Sequence, residues 1–249
     1  MTSNTGSPTL VTLENVGLTY RPLRIDRSIF RPSTLRHARH GIHALQDITM
    51  NLRRGDRIGV IGANGAGKTT LLRVAAGIFS PTTGIARVSP DTQSLIDAGF
   101  GLSPLLSGRE NARTLGILRG LQGDALERYI VDVGVDSGLG DFFDRAVSTY
   151  STGMSTRVIF SICTLVPPKV LILDELLSAG DASFMEKARL RFRRFMSEAS
   201  AILLASHSLG TVIDVCESAI WLEGGRIVEF GDASQVCANY NRRATNISS

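Results

Sequence analysis

The stretch Arg57-Ile58-Gly59-Val60-Ile61-Gly62-Ala63-Asn64-Gly65-Ala66-Gly67-Lys68-Thr69-Thr70, continued by Leu71-Leu72-Arg73-Val74-Ala75-Ala76, decides the reading of the whole chain. Gly62, Gly67, Lys68 and Thr69 fill the G-x-x-x-x-G-K-[ST] template of a phosphate-binding loop. Its flanks agree: a β-branched run precedes it and a helix-forming run follows. The glycines let backbone N–H groups turn inward around a phosphate, and the new helix presents its positive end to the same anion. In this reading Gly62, Asn64, Gly65, Ala66, Gly67 and Thr70 line the phosphate chain. Lys68 reaches its outer phosphates and the Thr69 hydroxyl holds Mg²⁺.

A chain of 249 residues has room for one large or two small domains and a sizeable core. Its cysteines, Cys163, Cys216 and Cys237, are far apart and lack metal-ligand spacing, so buried or incidental thiols are expected. The N-terminus has no basic, then apolar, leader pattern, and no apolar run reaches membrane-spanning length. The expectation is a soluble protein that meets a membrane only through a partner. Charge is uneven: residues 21–40 hold six arginines against Asp26, whereas the remainder carries 21 basic and 22 acidic residues. This local basic insertion points to one anionic or protein contact, not to a nucleic-acid-binding surface.

Outward from the loop, Thr9–Val16 and Ile48–Leu52 read as strands on the N-terminal side, with Tyr20 as a strand-end aromatic. After it, Ile85–Val88 reads as a strand, and a helical block over about 107–165 begins at Ser107-Gly108-Arg109-Glu110. The uninterrupted apolar run Val170–Leu173 reads as a buried parallel strand ending in Asp174-Glu175. Phe184–Met196 reads as a helix, Ala201–Ala205 as a buried strand ending in Ser206-His207-Ser208, and two strands and a helix close the chain. Polar residues at strand ends in an alternating series predict a mostly parallel α/β sheet.

Four pieces downstream complete a constellation. Leu171–Glu175 looks like a Walker B strand, with Asp174 toward Mg²⁺ and Glu175 as general base toward the attacking water. Tyr150-Ser151-Thr152-Gly153-Met154 resembles the signature sequence of ATP-binding-cassette (ABC) ATPases in the form Y-S-x-G-M. Ser178-Ala179-Gly180-Asp181 resembles their D-loop, and His207 their switch histidine. In this order the pieces resemble the nucleotide-binding subunit of ABC transporters from Tyr20 to about Tyr240. The resemblance implies a single P-loop ABC ATPase domain over 1–249, with an N-terminal antiparallel β part, a mostly parallel core sheet and a helical subdomain. It further implies a head-to-tail homodimer enclosing two ATP molecules with Mg²⁺. In it Tyr20 stacks on adenine, Lys68 and His207 act on the γ-phosphate, and the signature residues 151–154 approach from the other copy.

Ala98-Gly99-Phe100-Gly101, Ser107-Gly108-Arg109-Glu110-Asn111, Leu176–Phe184 and Ile220-Trp221-Leu222 look like the ATPases of O-antigen, capsule, teichoic acid and lipid-linked galactan exporters. That implies ATP-driven export of a lipid-linked polysaccharide from the cytoplasmic face of the cell membrane, through a separate integral-membrane permease. The chain length implies the short form, without a carbohydrate-binding domain. The insertion at 21–40 is similar in kind to one that faces the membrane partner in that group. The glutamine that most ABC ATPases place before the helical subdomain is missing between Ala98 and Ser107, which leaves one Mg²⁺ contact unassigned. The rival readings are an ABC ATPase of a drug or small-lipid exporter, and a soluble ABC protein acting on nucleic acid or ribosomes. Against the second, only about forty residues of helical block intervene and one cassette is present.

Overall fold

The computed structural model describes residues 7–21, 41–95, 102–174 and 182–247. The bulk of the arginine-rich insertion, the Gly99-Phe100-Gly101 stretch, Glu175 and the D-loop residues Ser178 and Asp181 lie outside them. The chain forms two compact units, the first of Met1–Ile96, Ile172–Glu175 and Ala201–Ser249, the second of Asp97–Leu171 and Leu176–Ser200.

In the first unit, β1 (Thr9–Tyr20) lies between β2 (Ile42–Arg53) and β4 (Thr83–Val88) in an antiparallel sheet. Alternation puts Val11, Leu13, Ile48, Met50 and Leu52 inside. A bulge between Leu13 and Val16 sets Asn15 at φ 49°, where its side chain accepts from Thr49 Oγ1 at 3.1 Å. β1 runs four residues beyond the strand read from its alternation, because the bulge restores the pairing that carries it to Tyr20 opposite Ile42.

The larger sheet has the order β5-β6-β7-β3-β8-β9. Its members are β3 (Arg57–Ile61), β5 (Thr92–Leu95), β6 (Val170–Asp174), β7 (Ala201–Ala205), β8 (Ser218–Glu223) and β9 (Arg226–Asp232). β3 pairs in parallel with both β7 and β8, and β9 closes the edge as an antiparallel hairpin partner of β8. Val60, Ile61, Leu203, Leu204 and Leu222 are fully buried, as the near-continuous apolar runs of a two-sided parallel strand require. Helices α1 (Lys68–Ala75), α6 (Leu209–Val215) and α7 (Ala233–Ile247) belong to this unit. β5 and α6 are too short, at 4 and 7 residues, for their periodicity to stand out in the sequence.

The second unit holds α2 (Gly108–Leu118), α3 (Gly123–Ser137), α4 (Thr152–Thr164) and α5 (Ala182–Glu198). Its core joins Ala112, Leu126, Tyr129, Ile130, Val133, Phe143, Val158 and Ile162. Tyr129 Oη and the Arg119 guanidinium both donate to the Ile162 carbonyl near the end of α4, at 2.8 and 2.6 Å. Asp136 of α3 receives Ser161 of α4 and pairs with Arg191 of α5, so one carboxylate ties three helices. No helix among the described residues is long and apolar enough to cross a membrane.

Candidate functional site

In a parallel sheet the loops that leave the carboxyl ends of the strands share one edge, and that is where the sequence-derived residues gather. β3 delivers the loop Gly62–Gly67, and α1 begins at Lys68. Val60 is opposite Ala205 in the β3–β7 register, so Ser206-His207 leave the sheet beside Gly62. Asp174 closes β6.

The loop conformation depends on its glycines. Gly62, Gly65 and Gly67 have φ of 150°, 78° and 105°, the left-handed side of the map that side chains avoid. At Gly62 a Cβ would stand 2.2 Å from the Leu222 carbonyl oxygen, and at Gly67 2.6 Å from that of Ala44. Backbone approaches from both sides, so these positions hold a cradle that only glycine leaves open. Gly67 caps α1 without a side chain, which leaves the first amides of the helix facing outward.

Lys68 is buried, and its ammonium donates to the carbonyl oxygens of Gly62 at 2.7 Å and Ala63 at 3.1 Å. Those charge-assisted bonds, of order 1.5–3 kcal/mol each, keep a cation folded against the loop. Thr69 Oγ1 donates to Asp174 Oδ2 at 2.6 Å, although 105 positions separate the two residues. A hydroxyl and a carboxylate oxygen this close are hard donors of the kind Mg²⁺ selects. The Tyr20 and Thr70 hydroxyls are 3.2 Å apart. The Tyr20 ring meets the edge of Phe79, which the Arg73 guanidinium covers from 5.4 Å. His207 is exposed, while the neighbouring Ser206 hydroxyl is buried and accepts from Ser208 N. Asn64 and Gly65 are exposed and Ala66 is buried.

The second unit carries the signature stretch. Ser151 is the N-cap of α4, its hydroxyl accepting from Met154 N at 3.2 Å, and Ser151, Thr152 and Gly153 are exposed with Met154 half-buried. A Cβ at Gly153 would meet nothing nearer than 4.0 Å, so its lack of a side chain leaves the helix end open and not tightly packed. Tyr150, just ahead, donates from its hydroxyl to the Phe142 carbonyl at 2.8 Å and accepts from Gly108 N at 3.2 Å. Burial pushes the Tyr150 phenol above its ordinary range.

Among the described residues the structure thus places Tyr20, the loop, Lys68, Thr69, Thr70, Asp174 and His207 in the first unit and residues 151–154 in the second. Gln93, which precedes the 98–107 stretch, lies on β5. Sequence reasoning missed Phe79 as support for Tyr20, and it missed the two-residue turn Gly224-Gly225 of the β8–β9 hairpin. The Gly-Gly pair between two strand-like runs was the available signal for that turn. Trp221 is buried, edge-on to Tyr240 at 5.5 Å and covered by Arg243, so it fastens α7 to the sheet.

Comparison with known proteins agrees with this geometry. Residues 45–178 match the family model described as ABC transporter. An O-antigen export system ATP-binding protein of Myxococcus xanthus is 38% identical over 199 residues, 80% of this chain and 46% of that protein. A teichoic acids export ATP-binding protein of Lactococcus lactis is also 38% identical over 199 residues, but only 42% of it is covered. An O-antigen export system ATP-binding protein of Klebsiella pneumoniae is 34% identical, with 80% of this chain and 81% of that protein covered. The chain thus spans about half the length of the first two relatives. Among solved structures, an ATP-binding cassette dimer bound to ADP and Pi superposes with a TM-score of 0.66 at 19% identity, covering 90% of this chain and 99% of that one. The last comparison speaks to the fold alone.

Proposed function

This chain belongs to the ABC transporter family, and on that premise we propose that it is the ATP-hydrolysing subunit of a lipid-linked polysaccharide exporter. It works as a head-to-tail pair on the cytoplasmic face of the membrane, against a permease formed by a separate chain. The observation that carries the reading is the Thr69–Asp174 pair beside a glycine-turned loop and a buried Lys68 at one sheet edge. The O-antigen and teichoic acid roles printed for the relatives support a glycan polymer as cargo over a drug or a small lipid.

MgATP supplies a phosphoanhydride whose γ-phosphoryl transfer to water is the energy-releasing step. Gly62–Gly67 and the first amides of α1 bind the phosphates, and Lys68 turns its ammonium from the Gly62 and Ala63 carbonyls to their oxygens. Thr69 and Asp174 would hold Mg²⁺, which would supply positive charge to the phosphate oxygens. Tyr20 stacks on the adenine. Ser151 and the exposed start of α4 in the second copy complete the donors around the γ-phosphate, because one loop leaves half of the developing charge unmatched. Glu175 takes the proton of the attacking water and His207 contacts the γ-phosphate. Binding closes the pair and hydrolysis reopens it, a two-state element able to drive a permease.

Replacing Glu175 by Gln tests this. Nucleotide binding is retained, turnover falls by about 10²–10⁴-fold as expected for loss of a general base, and a nucleotide-dependent dimer accumulates in size-exclusion chromatography. Undiminished turnover would remove Glu175 from its role. Purifying the protein from membranes and identifying the integral-membrane chain that accompanies it tests the export assignment.

A further inference from the structure

The phosphate loop is held by a junction that the nucleotide chemistry does not require. The β8–β9 hairpin turns through Gly224 and Gly225, at φ 55° and 76°. Its outward polar groups go to two other segments. Gly225 N donates to the Ala66 carbonyl of the phosphate loop at 3.0 Å, and Gly225 O accepts from Gln46 N at 2.8 Å. Gln46 Nε2 donates to Gly224 O at 3.0 Å, and Arg226 donates to Gln46 Oε1 at 2.9 Å, which fixes which way the amide points. A Cβ at Gly225 would stand 2.6 Å from the Ala44 carbonyl, the same oxygen that a Cβ at Gly67 would meet. Residues 44–46 of β2 therefore press on the hairpin turn and on the phosphate loop together. Ala63–Ala66 also border a cavity of about 260 Å³ whose far wall is Trp221, Glu223, Gly224, Tyr240 and Arg243, so beside that open space the Gly225–Ala66 hydrogen bond is what ties the loop to the hairpin.

From this geometry we propose that Gln46 is a positioning residue for nucleotide binding. It acts through Gly224-Gly225 to hold the Ala66 peptide, and with it the loop as far as Lys68, in the phosphate-binding conformation. The inference rests on the loop being the nucleotide site. Its physical basis is preorganisation: a loop of glycines has many conformations to lose, and a side-chain amide that fastens the Gly224 carbonyl and Arg226 of the hairpin supporting it lowers that cost before the ligand arrives.

The test uses the full chain with Gln46→Ala, Gln46→Glu and Arg226→Met. Dissociation constants come from a fluorescent ATP analogue with Mg²⁺, and hydrogen exchange is followed in the ligand-free protein. Gln46→Ala is expected to weaken nucleotide binding by about tenfold, the scale of one or two lost hydrogen bonds, and to speed exchange over residues 62–70 while β1 and β4 keep theirs. Gln46→Glu loses at least as much, because a carboxylate oxygen then faces the Gly224 carbonyl. Arg226→Met, which removes only the bond that orients the amide, gives a smaller effect in the same direction. KM rises, whereas kcat at saturating ATP stays within about twofold, because a bound phosphate chain restores the loop. Unchanged affinity and exchange in Gln46→Ala, or exchange that speeds equally across both sheets, would overturn the proposal. A Lys68→Ala control separates the two readings: if it binds nucleotide like the parent, the loop is not the site, whereas the exchange result still reports on the brace.

Discussion

At the scale of single residues, Tyr20 joins two parts of the proposed site that are fifty positions apart. Its hydroxyl meets Thr70 on α1, and its ring leans edge-on against Phe79 with a centroid separation of 6.2 Å. With 40% of its surface exposed, the ring is available to a base. Base–aromatic stacking is worth about 1–3 kcal/mol on alanine substitution, so Tyr20→Ala should weaken ATP binding by about tenfold or more. Tyr20→Phe keeps the ring and should stay within about threefold, since an exposed hydrogen bond contributes little net energy. Titration with ATP against tripolyphosphate checks the assignment: the alanine variant should lose affinity for ATP only. The position of Tyr20 at the end of β1 was legible from the chain, but its hydroxyl partner was not. Nothing in the local sequence around either residue encodes a contact that the β1–β4 pairing and the placement of α1 create.

At the scale of elements, the run Ser107-Gly108-Arg109-Glu110-Asn111 has a physical account for every member. Ser107 and Glu110 form a capping box, with Glu110 N donating to Ser107 Oγ and Ser107 N to Glu110 Oε2. The Ser107 amide, and after it the Ser107 hydroxyl, donate to the Glu110 carboxylate and hold it below its usual range. A Cβ at Gly108 would stand 2.7 Å from the Phe143 ring and 2.8 Å from the Tyr150 hydroxyl, so the start of α2 sits against the residue that leads into the signature. Arg109 pairs with Asp144. Asn111 is buried and serves Ser103 N, Ser103 O and Ser107 O with one side chain. Asn111→Ala removes those bonds, taking from Ser103 N its acceptor while Ser103 O and Ser107 O keep the Leu106 and residue-111 amides, and should cost about 2–3 kcal/mol, against about 1 kcal/mol for Ser107→Ala at the cap. Urea denaturation of the two variants measures the order, and equal midpoints would contradict it. The helix start was legible in the sequence because a capping box is a local code. The role of Asn111 was not, because its partners belong to the loop that precedes α2 and to tertiary packing.

At the scale of the whole molecule, both units bury ionisable groups that must stay neutral. Burial pushes the Cys163 thiol up to about 11, Cys216 to about 12 and the Tyr129 phenol to about 12, and it raises Cys237 as well. In the unfolded chain these thiols and the phenol ionise nearer 9 and 10. The folded values lie above the unfolded ones, so the fold retains protons that the unfolded chain releases. Stability is therefore fully present below about pH 9 and is lost progressively as pH rises toward 12, at up to about 1.4 kcal/mol per group per pH unit. Denaturation midpoints at pH 8 and pH 10.5 check the direction, and a thiol reagent should find its three targets only after unfolding. The cysteine count and spacing predicted buried or incidental thiols, and all three are buried and outside any disulfide.

By itself the sequence determined the phosphate loop, the helix caps and most strands of the sheet, together with the order of site motifs along the chain. Each is written within a few neighbouring residues: glycines where the backbone must turn, a lysine and a threonine at a helix start, apolar runs that can only be buried strands. Tertiary structure alone decided what the loop leans on. The partners Thr69 and Asp174 are 105 positions apart and Gln46 and Gly224 are 178 apart. No local pattern can specify such pairs, since they exist only once the larger sheet has aligned β3, β6 and the β8–β9 hairpin and β2 of the antiparallel sheet has been laid against the hairpin turn.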